Sequence, residues 1–138
     1  MKIAFYLGKY GNYKDKIVCA ASLSIYSHCE LVMEDGLCLS SSFRDGGVRG
    51  KYINLDNHWH VYEFTESHNE NSIRYWFDIH RNQKYDYPGA IGSGLCLDLT
   101  SYDKKFCSYV CAIMLGIDPI ITPGKLFRKL KKLKQIYV

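Results

Sequence analysis

The stretch YSHCEL (26–31) sets a serine, a histidine, a cysteine and a glutamate inside residues of strand character. Side chains i and i+2 of a strand share a face. His28 and Glu30 therefore point the same way, their Cβ atoms about 7 Å apart. A carboxylate at that spacing can orient an imidazole and stabilise its charged form, directly or through a water. Cys29 faces the other side with Leu31, as a packing residue does. The second chemistry-bearing run is KFCSYVCAIMLG, whose Cys107 follows His28 by 79 positions (107 minus 28). Cys107 falls near the start of a helix, where unpaired N–H groups and the helix dipole favour a thiolate. Cys111, one turn deeper among Val110, Ala112 and Ile113, reads as core. A helix-tip thiolate beside a strand histidine is what a cysteine hydrolase uses. The imidazole takes the thiol proton and returns it to the leaving group, while first-turn N–H groups hold the oxyanion.

Other residues carry weaker signals. Arg44, Asp45 and Arg49 lie in the glycine-rich stretch FRDGGVRGK, which is either a loop offering arginine to a substrate carboxylate or phosphate or a tight turn whose charges face water. It matches no phosphate-binding or dinucleotide fingerprint. Tyr85 and Tyr87 precede a Pro-Gly turn, and packing explains them as well as binding does. His58, His60, His68 and His80 have no metal-ligand spacing and read as surface or packing residues. The six cysteines form no CxxC pair; Cys29, Cys38 and Cys111 sit in apolar patterns as small buried hydrophobes. No metal or organic cofactor is expected, a Cys/His zinc site being the weakest of the readings.

The elements that must position these groups follow from periodicity and punctuation. MKIAFYLGK signals a strand, NYKDKIVCAASLSIYS a short helix with Ile17, Val18, Ala21 and Leu23 as its apolar positions, and HCELVM a strand. Asp35-Gly36 marks a hairpin into LCLSSSF. RDGGVRG is expected as a loop, followed by strands KYINL and HWHVYEF. ESHNENSIRYWFDIHRNQ has helical spacing, with Ile73, Trp76, Phe77 and His80 on one side. KKFCSYVCAIMLG is a helix stopped by Gly116, and Thr122-Pro123 caps a last helix. In that helix Leu126, Phe127, Leu130 and Leu133 dock on the core. Clustered strands flanked by helices predict an α+β fold, with an antiparallel sheet of about four to six strands packed against helices.

The chain has 138 residues, 47% of them apolar and 14% aromatic, which fits one folded domain over 1–138 and argues against disorder. Apolar runs stop well short of the roughly 20 residues of a membrane span, and no signal peptide is read at the front, so a cytoplasmic location is expected. Much of the net charge of +4 lies in KLFRKLKKLKQIYV. Its lysines, from Lys125 to Lys134, form either a solvated helix face or a patch for weak contact with an anionic surface. Specific nucleic-acid binding is not expected.

Taken together, YSHCELV, SSSFRDGGVRGK, QKYDYPGA, KKFCSYVC and ITPGKLF resemble the circularly permuted papain-like hydrolases, relatives of the NlpC-type peptidoglycan peptidases and of lecithin retinol acyltransferase. In that group S-H-x-E comes early and F-C-S late, at a helix start. The resemblance spans about Ala4 to Phe127. It implies a permuted papain-like fold and a thiol hydrolase, with Cys107 as nucleophile, His28 as base and Glu30 as the orienting acid. It also implies a peptide, a peptidoglycan-type amide or a lipid ester as substrate, in a setting that includes viruses and bacteria. In NlpC-type relatives the orienting residue sits on the next strand, where Ser40 to Ser42 fall, so Ser40 or Ser42 stands as the alternative to Glu30. Substrate contacts are expected at Ser40, Arg44, Tyr87 and Ser108. Tyr109 replaces the acidic residue that relatives often carry two positions after the cysteine. That departure leaves room for a catalytically silent member that binds a protein or an anionic surface through its basic helix.

Overall fold

In KIAFYL, Ile3, Ala4 and Phe5 are all buried, so this strand has no solvent-facing side and must sit inside a sheet. The computed structural model describes residues 1–84, 106–118 and 122–137. Within them β1 (Lys2–Leu7) leads through a short 3₁₀ turn to α1 (Tyr13–Ser22). A meander follows: β2 (Tyr26–Val32), β3 (Leu37–Ser42), β4 (Gly47–Tyr52) and β5 (Trp59–Glu63). The remaining helices are α2 (Glu70–His80), α3 (Cys107–Met114) and α4 (Pro123–Lys132). The five strands make one antiparallel sheet in the order β4-β3-β2-β1-β5. The fold is α+β.

The central strands use both faces. Toward the helices, Ile3, Phe5, Cys29, Leu31 and Leu39 pack against Cys107, Cys111 and Ala112 of α3 and Leu126 and Leu130 of α4. On the other face a smaller apolar group, Ala4, Val32 and Cys38, is covered by Ile53, Leu55 and Trp59. Local sequence explains the helix ends. Asn12 caps α1 and forms a reciprocal capping box with Asp15. Thr122 accepts from Lys125 N ahead of Pro123 at the first turn of α4. Gly116, at φ 68°, lets the chain leave α3.

Three details depart from the sequence expectations. The strand placed at KYINL begins at Gly47, inside the expected loop, and Ile53 onward is not strand. The hairpin turn occupies only Phe43 to Gly46, and Gly47 already pairs with Ser42. A Cβ at Gly47 would fall 1.8 Å from the Gln83 carbonyl oxygen, so glycine serves here for close backbone approach rather than for a wide loop. Leu23 caps α1 in the left-handed region and is 88% exposed instead of completing an apolar helix face. Leu133, just past α4, is half-exposed rather than docked.

Candidate active site

Strand β2 carries the first half of the site. Its pairing with β1 slips between Tyr6 and Leu7: Tyr6 faces His28 while Leu7 faces Tyr26, which leaves Ser27 as an extra residue. This bulge, immediately before His28, is of the kind that re-aims a side chain. Ser27 is tied down by its hydroxyl, which donates to Asp15 Oδ1 at 2.9 Å. Beyond the bulge His28 and Glu30 share a face, and His28 Nε2 lies 2.6 Å from Glu30 Oε1.

Glu30 is wholly buried. An isolated carboxylate in that position would take up a proton. Burial pushes its pKa up, but hydrogen bonds from Arg49 and the charge of His28 outweigh burial and hold it below the usual carboxylate range. Arg49 grips it with two nitrogens, Nη1 to Oε2 at 2.6 Å and Nη2 to Oε1. The third, Nε, donates to Asp45 Oδ2 at 2.7 Å, and Lys51 Nζ reaches both Asp45 oxygens at 3.0 and 3.1 Å.

Cys107 is the first residue of α3, behind Phe106, whose side chain makes no capping hydrogen bond. The Cys107 sulfur and the His28 imidazole are hydrogen-bond and charge partners. Burial pushes the Cys107 thiol up, yet hydrogen bonding from Cys29 and the charge and hydrogen bond of His28 prevail and hold it well below the ordinary value. Burial pushes His28 down, yet the charges of Cys107 and Glu30 prevail and raise it to about 10. These opposed shifts describe a thiolate–imidazolium pair. Cys29 differs: burial and its sulfur neighbours drive it well above the ordinary thiol range, so it stays protonated. Cys111 Sγ contacts the Cys29 carbonyl at 3.8 Å inside the core.

His28, Glu30 and Arg49 open on a cavity of about 190 Å³. Tyr6, Phe43 and Trp59 give it aromatic walls, and Ser42 and Arg44 also line it. Cys107, 2% exposed, is not on that wall.

The structure thus brings together Cys107, His28 and Glu30 and separates them from several expected partners. Ser40 is fully buried, and its hydroxyl donates to the Cys29 carbonyl at 2.6 Å. It neither orients His28 nor lines the cavity: the Leu31–Leu39 pairing sets it beside Glu30, but its hydroxyl is spent on the β2 backbone. Ser42 reaches the cavity wall, but Glu30 is the acceptor at the imidazole. Ser108 is buried in α3 rather than presented to a ligand. Arg44 lines the cavity and pairs with Asp15 at 3.0 Å. Tyr87 and Tyr85 lie outside the described residues. His58, His60, His68 and His80 each pack against an aromatic ring. Among the described residues no cluster of three or more His, Cys, Asp or Glu side chains is arranged for a metal ion, and no helix is long and apolar enough to cross a membrane.

What sequence reasoning missed is the partnership of Arg49 with Glu30. Two signals point to it: a glutamate on the inner part of a central strand requires a cation, and a turn closed at Gly46 puts Arg49 opposite Ser40, one strand away. No protein-family model, curated protein or solved structure matches the chain.

Proposed function

We propose that the protein is a thiol hydrolase of permuted papain-like architecture that cleaves an amide or ester through an acyl-enzyme. The observation that carries this reading is the hydrogen-bonding contact of the Cys107 sulfur, at the first turn of α3, with the His28 imidazole, and Glu30 2.6 Å from the ring's Nε2. The Cys107 thiolate attacks the substrate carbonyl carbon. First-turn N–H groups of α3 stabilise the oxyanion, and the His28 imidazolium protonates the departing nitrogen or oxygen. A water then gives a proton to His28 and attacks the thioester; the acid leaves and the thiolate–imidazolium pair is restored. Peptides, peptidoglycan-type amides and lipid esters are the acyl donors to test.

Iodoacetamide labelling across pH, mapped by mass spectrometry, is the direct experiment. Cys107 is expected to label first, with a midpoint well below the roughly 8.5 of free cysteine. Cys107→Ala is expected to cut hydrolysis of an activated acyl ester on the order of a thousandfold. Labelling of Cys29 or Cys38 ahead of an inert Cys107 would end this reading.

A second reading rests on one specific observation: Cys107 is buried and absent from the cavity wall. A silent protein of the same architecture would instead bind an anionic surface through α4, whose last turn carries Lys129, Lys131 and Lys132. An inert Cys107 together with salt-sensitive binding to phosphatidylserine vesicles would favour it.

A further inference from the structure

Arg49 meets Glu30 with two nitrogens. We propose that Arg49 is a positioning residue for the Cys107–His28 pair: it keeps Glu30 ionised inside the protein and thereby fixes the ring proton of His28 on Nε2, leaving Nδ1 to receive the proton of the Cys107 thiol. This inference rests on the thiol-hydrolase reading above.

An ionised carboxylate can only accept hydrogen bonds. With Glu30 charged, His28 Nε2, 2.6 Å from Oε1, must be the donor. A neutral imidazole then has Nδ1 as its acceptor, which is the nitrogen left for the sulfur. A protonated Glu30 would reverse this. Its O–H would donate to Nε2, the ring proton would sit on Nδ1, and that nitrogen could take nothing from Cys107. The charge state of Glu30 therefore selects the nitrogen that does the chemistry, and the guanidinium selects the charge state. Only a proton moves, from Cys107 Sγ to His28 Nδ1 and back.

The placement of Arg49 fits this role. Its side chain is 14% exposed and that of Glu30 is 0% exposed, so the pair is screened little by water. Asp45 holds Nε and Lys51 holds Asp45, giving an alternating chain of charge from His28 to the strand edge. Among the described residues the neighbouring elements offer no substitute. Cys29 of β2 and Cys38 of β3 are held protonated by burial. Cys111 of α3 faces the core. From α1, Asp15 is engaged by Ser27 and Arg44. Lys51 reaches Asp45, on the far side of Arg49 from Glu30.

The test is the pH midpoint of iodoacetamide alkylation at Cys107, measured with thermal melting for wild type, Arg49→Gln, Arg49→Lys, Glu30→Gln and the double variant. Arg49→Gln is expected to raise the midpoint by about one pH unit or more toward free cysteine. Arg49→Lys, which keeps the charge but not the fork, should recover part of that shift. In the Glu30→Gln background Arg49→Gln should add almost nothing, because the two act in series. A melting temperature that falls while the midpoint stays put would reduce Arg49 to a structural brace. An equal shift with and without Glu30 would mean direct action on the sulfur; either result overturns the proposal. Whether or not Arg49→Gln folds, ¹⁵N resonances of the neutral His28 ring in Cys107→Ala are expected to show the Nε2–H tautomer, and the Nδ1–H tautomer would also overturn it. A wild-type midpoint near 8.5 is a different failure, that of the hydrolase reading itself.

Discussion

Glu30 and Ser40 sit on adjacent strands, are both buried, and do different jobs. Glu30 accepts from His28 and Arg49 and is part of the charge chain. Ser40 donates to the Cys29 carbonyl and so braces the backbone beside the site without touching the imidazole. Removing a buried hydroxyl that makes one such bond costs about 1 kcal/mol. Ser40→Ala is accordingly expected to lower urea-unfolding stability by about that amount while the alkylation midpoint of Cys107 stays where it is. A midpoint that moved with Ser40→Ala would return the serine to the set of groups that orient His28. The identity of the third group was open in the sequence because Glu30 and the Ser40–Ser42 run both fall within strand reach of His28. Pairing puts Ser40 on the same face as Glu30; what separates them is contact, Glu30 accepting from His28 while the Ser40 hydroxyl donates to the Cys29 carbonyl.

At the scale of elements, most of the fold was legible because its signals are local. Asn12 with Asp15, Asp35-Gly36, Gly116 and Thr122-Pro123 are turn and cap chemistry that acts within a few residues, and each marks an observed element end. The stretch 43–55 was misplaced because its boundary is set from outside. Gly47 is strand since the Gln83 carbonyl crosses it and Gln83 O accepts from Val48 N at 2.7 Å, a contact no window of sequence contains. Leu23 and Leu133 failed for a related reason: periodicity marks an apolar position but does not say where the neighbouring layer stops. The Gly47 contact gives a prediction at this scale. Gly47→Ala cannot be accommodated without moving either β4 or Gln83, so it is expected to destabilise the protein by more than about 1 kcal/mol. It should also raise the Cys107 alkylation midpoint, since Arg49 rides on the same strand. Urea titration and labelling of one sample check both, and an unchanged midpoint would show that β4 tolerates the shift.

For the whole molecule, the buried charges determine how stability follows pH. Glu30 and Asp45 have folded pKa values below their ordinary 4.5 and 3.8, Asp45 at about 2. Their contribution is present above those ordinary values and is lost as pH falls. His28 is raised from 6.5 to about 10, so its contribution is complete below 6.5 and is lost as pH rises toward 10. Cys107 is lowered from 9.0, so its contribution is complete above 9.0 and fades as pH falls. Below 9.0 the gain from Cys107 opposes the decline from His28. Unfolding free energy is therefore expected to rise with pH through the acidic range as Glu30 and Asp45 ionise, and to fall between about 9.0 and 10, where His28 is still losing its proton and Cys107 contributes no further gain. In Cys107→Ala, where Glu30 alone raises His28, a smaller decline is expected to begin near 6.5 with no opposing gain from a thiolate; urea unfolding at a series of pH values checks both curves. The same burial bears on how the sheet is assembled. A one-residue slip of β2 against β1 and β3 would exchange the two sides of the strand, turning Leu31 out and Glu30 in among Ile3, Phe5 and Leu39, away from the guanidinium. A carboxylate without its cation is not tolerated there, whereas an all-apolar β2 would accept either alignment nearly as well. The trio of His28, Glu30 and Arg49 is thus expected to act during folding as a proofreader of strand alignment.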